Sequence, residues 1–312
     1  GHPGWNQKWR KPLREALNYL RDKLVEIYTK EGKKYFKDVW AARNNYIDVI
    51  LDRALLNVKK YQKANFVEGL SGEDKISAMK LLEIQRQALL MFTSCGWFFS
   101  EISGIETTQI MKYAARAMQL AKSFTDENLE EGFLSIIEKA ESNIKEYGNG
   151  RNIYDKFVRP CVVSIKQLAS LWAILSLFKD LDDEEDLYCY TARKLAYKKI
   201  VKGSTNLVIA HVEIKSNITL ETFDTMVALI QYEGGDFHCA IKDFTNEKDY
   251  YCTQEDLAKT FSDQPLTEII RKIDEYFGEK YFTLKDIFAE QRKNILAMLL
   301  KDQMEKFSET YQ

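Results

Sequence analysis

Residue types and spacing that offer chemistry occur in one stretch of this chain, Ser94-Cys95-Gly96-Trp97-Phe98-Phe99-Ser100-Glu101, which runs on into Ile102-Ser103-Gly104-Ile105-Glu106. Three aromatic rings stand in a row at Trp97, Phe98 and Phe99. Neighbouring side chains on a helix are about 100° apart, so three in succession cannot share a face. At least one ring must point away from its own helix. An exposed ring beside Ser94 and Glu101 suits a sugar, with an apolar face for stacking and polar groups for hydroxyls. The same rings also suit a buried helix–helix elbow, which is the commoner arrangement on spacing alone. Glu106 carries two readings as well, because Ser103-Gly104-Ile105-Glu106 has the S-x-x-E form of a capping box that closes a helix N-terminus.

Other chemistries have no motif here. There is no G-x-S-x-G, no phosphate-binding P-loop, no G-x-G-x-x-G before a helix and no H-E-x-x-H. Cys95 makes a nucleophile pair only if His211 or His238 folds against it. Those two histidines fall on different expected strands without a third ligand type nearby, and a catalytic zinc wants three protein ligands, so no metal site is assigned. Glycoside hydrolysis needs two carboxylates flanking the bond. Among 47 acidic residues no spacing selects two. Nothing calls for a cofactor.

The elements that must position the aromatic stretch are mostly helices. Leu13, Leu17, Leu20, Leu24 and Ile27 make one apolar stripe on a helix over about Lys11–Thr29. A second helix starts at Asp38 as N-cap, with Arg43 and Arg53 on its solvent side. Ser71-Gly72-Glu73-Asp74 opens a third, which runs through Leu82 and Leu89 into the aromatic stretch. A fourth covers Ile105–Ser123 and a fifth Glu127–Tyr147, stopped by Gly148-Asn149-Gly150. Past Pro160, an apolar helix carries Leu168, Leu171, Trp172, Leu175 and Phe178, with Trp172 in the core.

The acidic run Asp180–Asp186 lacks the order of a calcium loop and reads as a solvated linker. After it the hydrophobic period changes to two. Strands are expected over 188–200, around Val208, Ala210, Val212 and Ile214, over Phe223–Tyr232 and over Phe237–Phe244. Turns fall at Lys202-Gly203-Ser204 and Glu233-Gly234-Gly235-Asp236. Helices close the chain, with Thr253 and Thr283 as caps and Pro265 in a first turn. The fold class is α+β, mainly α. A helical bundle over 1–180 is followed by an antiparallel β-meander over 187–246 and C-terminal helices over 253–312 that pack back on the core.

Composition narrows the partners. The chain has 312 residues, a net charge of −2 and a pI of about 6.1, so nothing globally basic invites nucleic acid or an anionic membrane. Residues 1–37 are locally basic, which on an amphipathic helix is a solvated face. No apolar run approaches the ~18–20 residues that span a bilayer, and no signal peptide is visible. Cys95, Cys161, Cys189, Cys239 and Cys252 form no C-x-x-C pair, which points to reduced thiols and a cytoplasmic protein.

Six blocks in order carry a family resemblance: GHPGWNQKWRKPLREALNYLRDKL, DVWAARNNYIDVILDR, LLEIQRQALLMFTSCGWFFSEISGIETTQIMKYAARAMQLA, GRNIYDKFVRP, EGGDFHCAIKDF and FTLKDIFAEQRKNIL. Together they resemble the C-terminal region, domain of unknown function 3536, of proteins whose N-terminal half looks like family 57 glycoside hydrolases. The resemblance implies that this chain is the back half of a longer protein. It also implies that the 1–180 bundle packs on an upstream (β/α) barrel holding the catalytic carboxylates of a retaining enzyme acting on α-glucans.

In that family a late motif, Ser-Asp-Trp followed by aromatics, reaches the sugar cleft. Ser94-Cys95-Gly96-Trp97-Phe98-Phe99 looks like it, with Gly96 where the family has Asp. The resemblance makes Trp97 the cleft residue and leaves Phe98 and Phe99 partly in the core. Trp40, Arg43 and Tyr46 form a second candidate group, an Arg beside two aromatics being able to hold sugar hydroxyls or equally a core Trp with a surface Arg.

The expected function is therefore an accessory domain, not catalytic alone. It would lend Ser94, Trp97, Phe98, Phe99, Glu101 and Glu106 to an α-glucan or other oligosaccharide. The alternative is a non-catalytic carbohydrate-binding or interaction module.

Overall fold

A computed structural model describes residues 2–232, 236–287 and 289–310. The chain divides into two compact units, residues 1–162 and 163–312. The fold is α+β, mainly α. The expected turn Glu233-Gly234-Gly235-Asp236 lies, but for Asp236, outside the described residues.

The first unit is helical: α1 (Arg10–Gly32), α2 (Val39–Asn45), α3 (Ile47–Leu51), α4 (Leu55–Asn65), α5 (Gly72–Leu90), α6 (Ile105–Ala121), α7 (Leu129–Ile137) and α8 (Gly150–Phe157). The α1 stripe Leu13, Leu17, Leu20 and Leu24 is fully buried, and the helix packs on α5, α6 and α7. Asp38 caps α2 by accepting from the Ala41 N–H, and Ser71 with Asp74 forms a complete capping box on α5.

The expected helix over Glu127–Tyr147 is not continuous. It ends at Ile137, and Asn149 begins the next helix instead of stopping the last, its side chain accepting from the Asn152 N–H. The reason is close approach. A Cβ at Gly150 would lie 2.5 Å from the Ile137 carbonyl oxygen, so α8 starts against the end of α7 where only glycine fits. Ser164 boxes the start of α9 (Ile165–Phe178), which belongs to the second unit because its apolar face lies on the sheet. The first unit accordingly ends at Val162 and not at 180.

The sheet has six antiparallel strands in sequence order: β1 (Glu184–Leu187), β2 (Tyr190–Lys202), β3 (Thr205–Ser216), β4 (Thr222–Gln231), β5 (Phe237–Asp243) and β6 (Tyr281–Phe282). Between β5 and β6 come α10 (Glu247–Asp263) and α11 (Leu266–Phe277), and α12 (Ala289–Thr310) follows. Gly203, at φ +60°, makes the β2–β3 turn.

Part of the acidic run is strand, not linker. On an edge strand the backbone pairs with β2 while carboxylates stay in water, so acidity does not forbid it. β3 is buried on both faces where one was expected. Val208, Ala210, Val212 and Ile214 meet Leu168, Leu171 and Trp172 of α9. Leu207 and Ile209 meet Leu257, Phe261, Ile269 and Ile273 of α10 and α11. Thr253 is interior to α10, which Asn246 caps.

Candidate functional site

The link between α5 and α6 is an elbow. Its core is a 3-10 turn, Ser94–Trp97, and its outer rim is Phe98 and Phe99. Gly96 is buried against α6, and a Cβ there would lie 2.5 Å from Ile110 Cδ1. The Thr107 hydroxyl donates to the Gly96 carbonyl at 2.8 Å. The absence of a side chain at 96 therefore lets the turn sit on Ile110, and an Asp at this place has no room.

The far end of the elbow is pinned by buried polar groups. The Trp9 indole N–H donates to the Ser100 carbonyl at 3.3 Å, and the Asn143 amide donates to the same oxygen at 2.9 Å. Glu101 is buried and its carboxylate accepts from Ser142 Oγ (2.6 Å), the Asn143 N–H (2.8 Å) and the Ser103 N–H (3.2 Å). Both of its oxygens thus serve the chain itself. Glu106 stands in the first turn of α6, whose N-cap is Gly104 without a side-chain cap, so the S-x-x-E pattern forms no capping box here. Its charge suits the positive end of the helix dipole.

The three rings are sorted differently from the sequence expectation. Trp97 is half-buried beneath Arg14, whose guanidinium carbon lies 4.6 Å from the ring centroid, and its indole nitrogen is buried without a partner. Phe98 and Phe99, expected partly in the core, are 77% and 47% exposed. They stand edge to face with centroids 5.1 Å apart. Arg10 fixes them by donating to both of their carbonyls, at 3.4 and 3.3 Å. Ser94 is exposed at the other end of the turn, and Leu89 and Ile105 add exposed apolar surface on either side in sequence. The physical reason is that α1 supplies the cover. Its Arg14 occupies the Trp97 face that a free elbow would offer. Nothing in the local sequence links Arg10 and Arg14 to residues almost ninety positions away; their four-residue spacing on α1 is the sole trace.

The second candidate group separates into surface and core. Trp40 is 41% exposed, packs edge-on to Tyr28 at 5.6 Å and carries Arg43 at 5.5 Å. Tyr46 is buried, and its hydroxyl donates to Glu83 Oε1 at 2.6 Å. Arg53 and Arg86 reach the same carboxylate at 2.8 and 3.2 Å. Burial works against the charged form of Glu83, but the hydrogen bonds from Tyr46 and Arg53 and the charge of Arg86 outweigh it and hold the carboxyl below its usual value. Burial, with the Glu83 charge behind it, pushes the Tyr46 phenol up, so it stays a donor. Tyr46 is a structural anchor in this arrangement.

The histidines are similarly engaged. His211 stacks on Phe244 at 3.6 Å and meets Asp224 at 3.2 Å. His238 stacks on Tyr281 at 4.5 Å with Asp274 3.5 Å away, and burial pushes its imidazole below the ordinary value against the pull of that carboxylate. Among the described residues no cluster of three or more His, Cys, Asp or Glu side chains is placed to hold a metal ion.

Chemically, the elbow offers two water-facing rings set edge to face, with Arg10 bonded to their carbonyls and Arg14 over the neighbouring Trp97. Its one buried carboxylate is fully bonded within the chain, so the elbow suits binding and positioning in preference to proton transfer.

Neither a curated protein nor a solved structure matches this chain. A family model described as "Domain of unknown function (DUF3536)" matches residues 5–288, which takes in the elbow, the sheet and both helical layers on it. The chain belongs to the DUF3536 family.

Proposed function

We propose that this chain is the helical accessory region of an α-glucan-active protein of the family 57 glycoside hydrolase type, inactive alone and completed by an upstream (β/α) barrel. The observation that carries the reading is the water-facing Phe98–Phe99 pair, held on a rigid turn by Arg10, Gly96 and Glu101. Rigid exposed aromatics in a polar surround are what sugar recognition and domain docking both use. The surface offered to the sugar moves accordingly from Trp97 to Phe98 and Phe99, with Ser94 beside them. Trp97 supports the turn from beneath. Five free cysteines accord with a reducing compartment, and the cytoplasm is the location we assign.

The test is affinity electrophoresis in gels containing glycogen, run on this chain and on the same chain joined to its barrel. Retardation of the joined protein that is lost in Phe98→Ala and Phe99→Ala supports the reading. Retardation of the isolated chain, lost in the same variants, favours a carbohydrate-binding module that works without the barrel. No retardation of either overturns both.

A further inference from the structure

The two sides of β2 are covered unequally. The strand pairs along nearly all of its thirteen residues with β3. On its other side β1 covers Tyr190–Arg193, and the bond from the Lys194 N–H to the Asp183 carbonyl extends that cover by one step. From Leu195 to Lys202 no described residue bonds to the outer edge of the backbone. Alternate residues of an antiparallel strand turn both N–H and C=O outward, so this stretch presents a row of unpaired donors and acceptors about 25 Å long.

Proteins usually blunt such edges with bulges and lysines. β2 has a register shift between Lys194 and Ala196, but its lysines are largely engaged elsewhere. Lys194 bonds Asp183 and the Leu181 carbonyl, Lys199 the Leu177 carbonyl, and Lys202 the Phe261 and Ser262 carbonyls. Between these anchors Leu195, Tyr197 and Val201 are 42%, 36% and 62% exposed. An open groove of about 810 Å³, lined by Asp183, Glu184 and residues 193–197, lies where β1 stops.

Charge indicates the occupant. Arg193–Lys202 holds five cations and no anion. Glu213 pairs Arg193 and Asp183 pairs Lys194, and among the described residues Lys198, Lys199 and Lys202 have no carboxylate partner. We propose that the open edge Leu195–Lys202 takes an extended acidic peptide by strand addition. Side chains alternate along the strand, so backbone bonds would supply affinity, carboxylates would face Lys198 and Lys202 on one side, and apolar residues would lie against Tyr197 and Val201 on the other. A second copy of this chain fits worse, because antiparallel pairing of two such edges sets lysine against lysine.

Fluorescence anisotropy of the labelled peptide Val-Glu-Val-Asp-Val-Glu-Val, titrated with the intact chain, tests this. Binding is expected, weakened by added salt, by about fivefold in Lys198→Glu and by at least about tenfold when alternate backbone nitrogens of the peptide are methylated. Equal binding of the methylated peptide would leave only charge attraction and overturn strand addition. Full displacement of the peptide by single-stranded polynucleotide at matched charge would make the face a general polyanion site, and no binding, with circular dichroism showing a folded chain, would also overturn it. None of these results depends on glycogen retardation, so this inference and the sugar reading fail separately.

Discussion

Trp97 lies under the guanidinium of Arg14, whose central carbon is 4.6 Å from the ring centroid, and the same arginine covers Phe92 at 5.3 Å. One cation thus roofs two rings, Phe92 just before the 3-10 turn and Trp97 at its end. Trp97→Ala removes a half-buried ring and should cost about 2 kcal/mol of stability, below the full core penalty. Arg14→Ala should cost about 0.5–1 kcal/mol. Urea unfolding followed by circular dichroism measures both. A Trp97→Ala chain as stable as the parent would mean that the ring packs on nothing that matters to the fold.

Phe98 and Phe99 should behave in the opposite way. Their rings face water, so truncation should leave stability within about 0.5 kcal/mol. Each ring removed from a sugar stack should weaken glycogen retention by about tenfold, the equivalent of ~1–1.5 kcal/mol. The contrast between unchanged unfolding and changed retention distinguishes a binding surface from a core, and loss of stability without loss of retention would reverse the assignment.

Gly96 marks where this elbow departs from the Ser-Asp-Trp pattern that it resembles, and Ile110 explains why. Any Cβ at 96 meets three atoms of the Ile110 side chain within 3 Å. Gly96→Ala should destabilise by about 1–3 kcal/mol through overpacking, and Gly96→Asp by more, since its carboxylate is also left buried. In the Ile110→Ala background the Gly96→Ala cost should shrink, which a double-mutant cycle reads directly. An unchanged cost in that background would place the strain elsewhere.

These contacts also show which parts of the architecture were legible in the chain. The α1 stripe, the caps at Asp38 and Ser71 and the four central strands follow from local periodicity and capping chemistry. The rule that three adjacent rings cannot share a face requires one to point away from its own helix, but leaves open whether that ring meets water or a neighbouring helix. Which ring is exposed depends on Arg10, Arg14 and Ile110, reached through folding and not through neighbouring sequence. The same holds for Glu101, whose partners Ser142 and Asn143 lie about forty residues on. β1 escaped notice because its acidic side chains mask a backbone that needs only an edge to pair with, and the α7–α8 break did because Gly150 reads as a stop until the Ile137 carbonyl is seen beside it.

Acid sensitivity in the first unit should centre on Glu83. Its carboxyl is buried, and its folded-state value lies below the 4.5 of a free glutamate. A depressed carboxylate adds stability that is fully present above the unfolded value and vanishes as pH falls through the folded one. Stability should therefore hold from neutrality down to about pH 5 and decline below it. Glu83→Gln leaves Arg53 and Arg86 facing a neutral amide and should cost about 3 kcal/mol at pH 7. It should also flatten the acid limb, because the group that titrates there is gone. Tyr46→Phe removes a single donor and should cost about 1–2 kcal/mol while keeping the acid limb, shifted toward higher pH by the lost hydrogen bond. Urea midpoints between pH 3 and pH 7 on the three chains measure this. An acid limb of the same slope in Glu83→Gln would assign the titration to another carboxylate and leave Glu83 as packing alone.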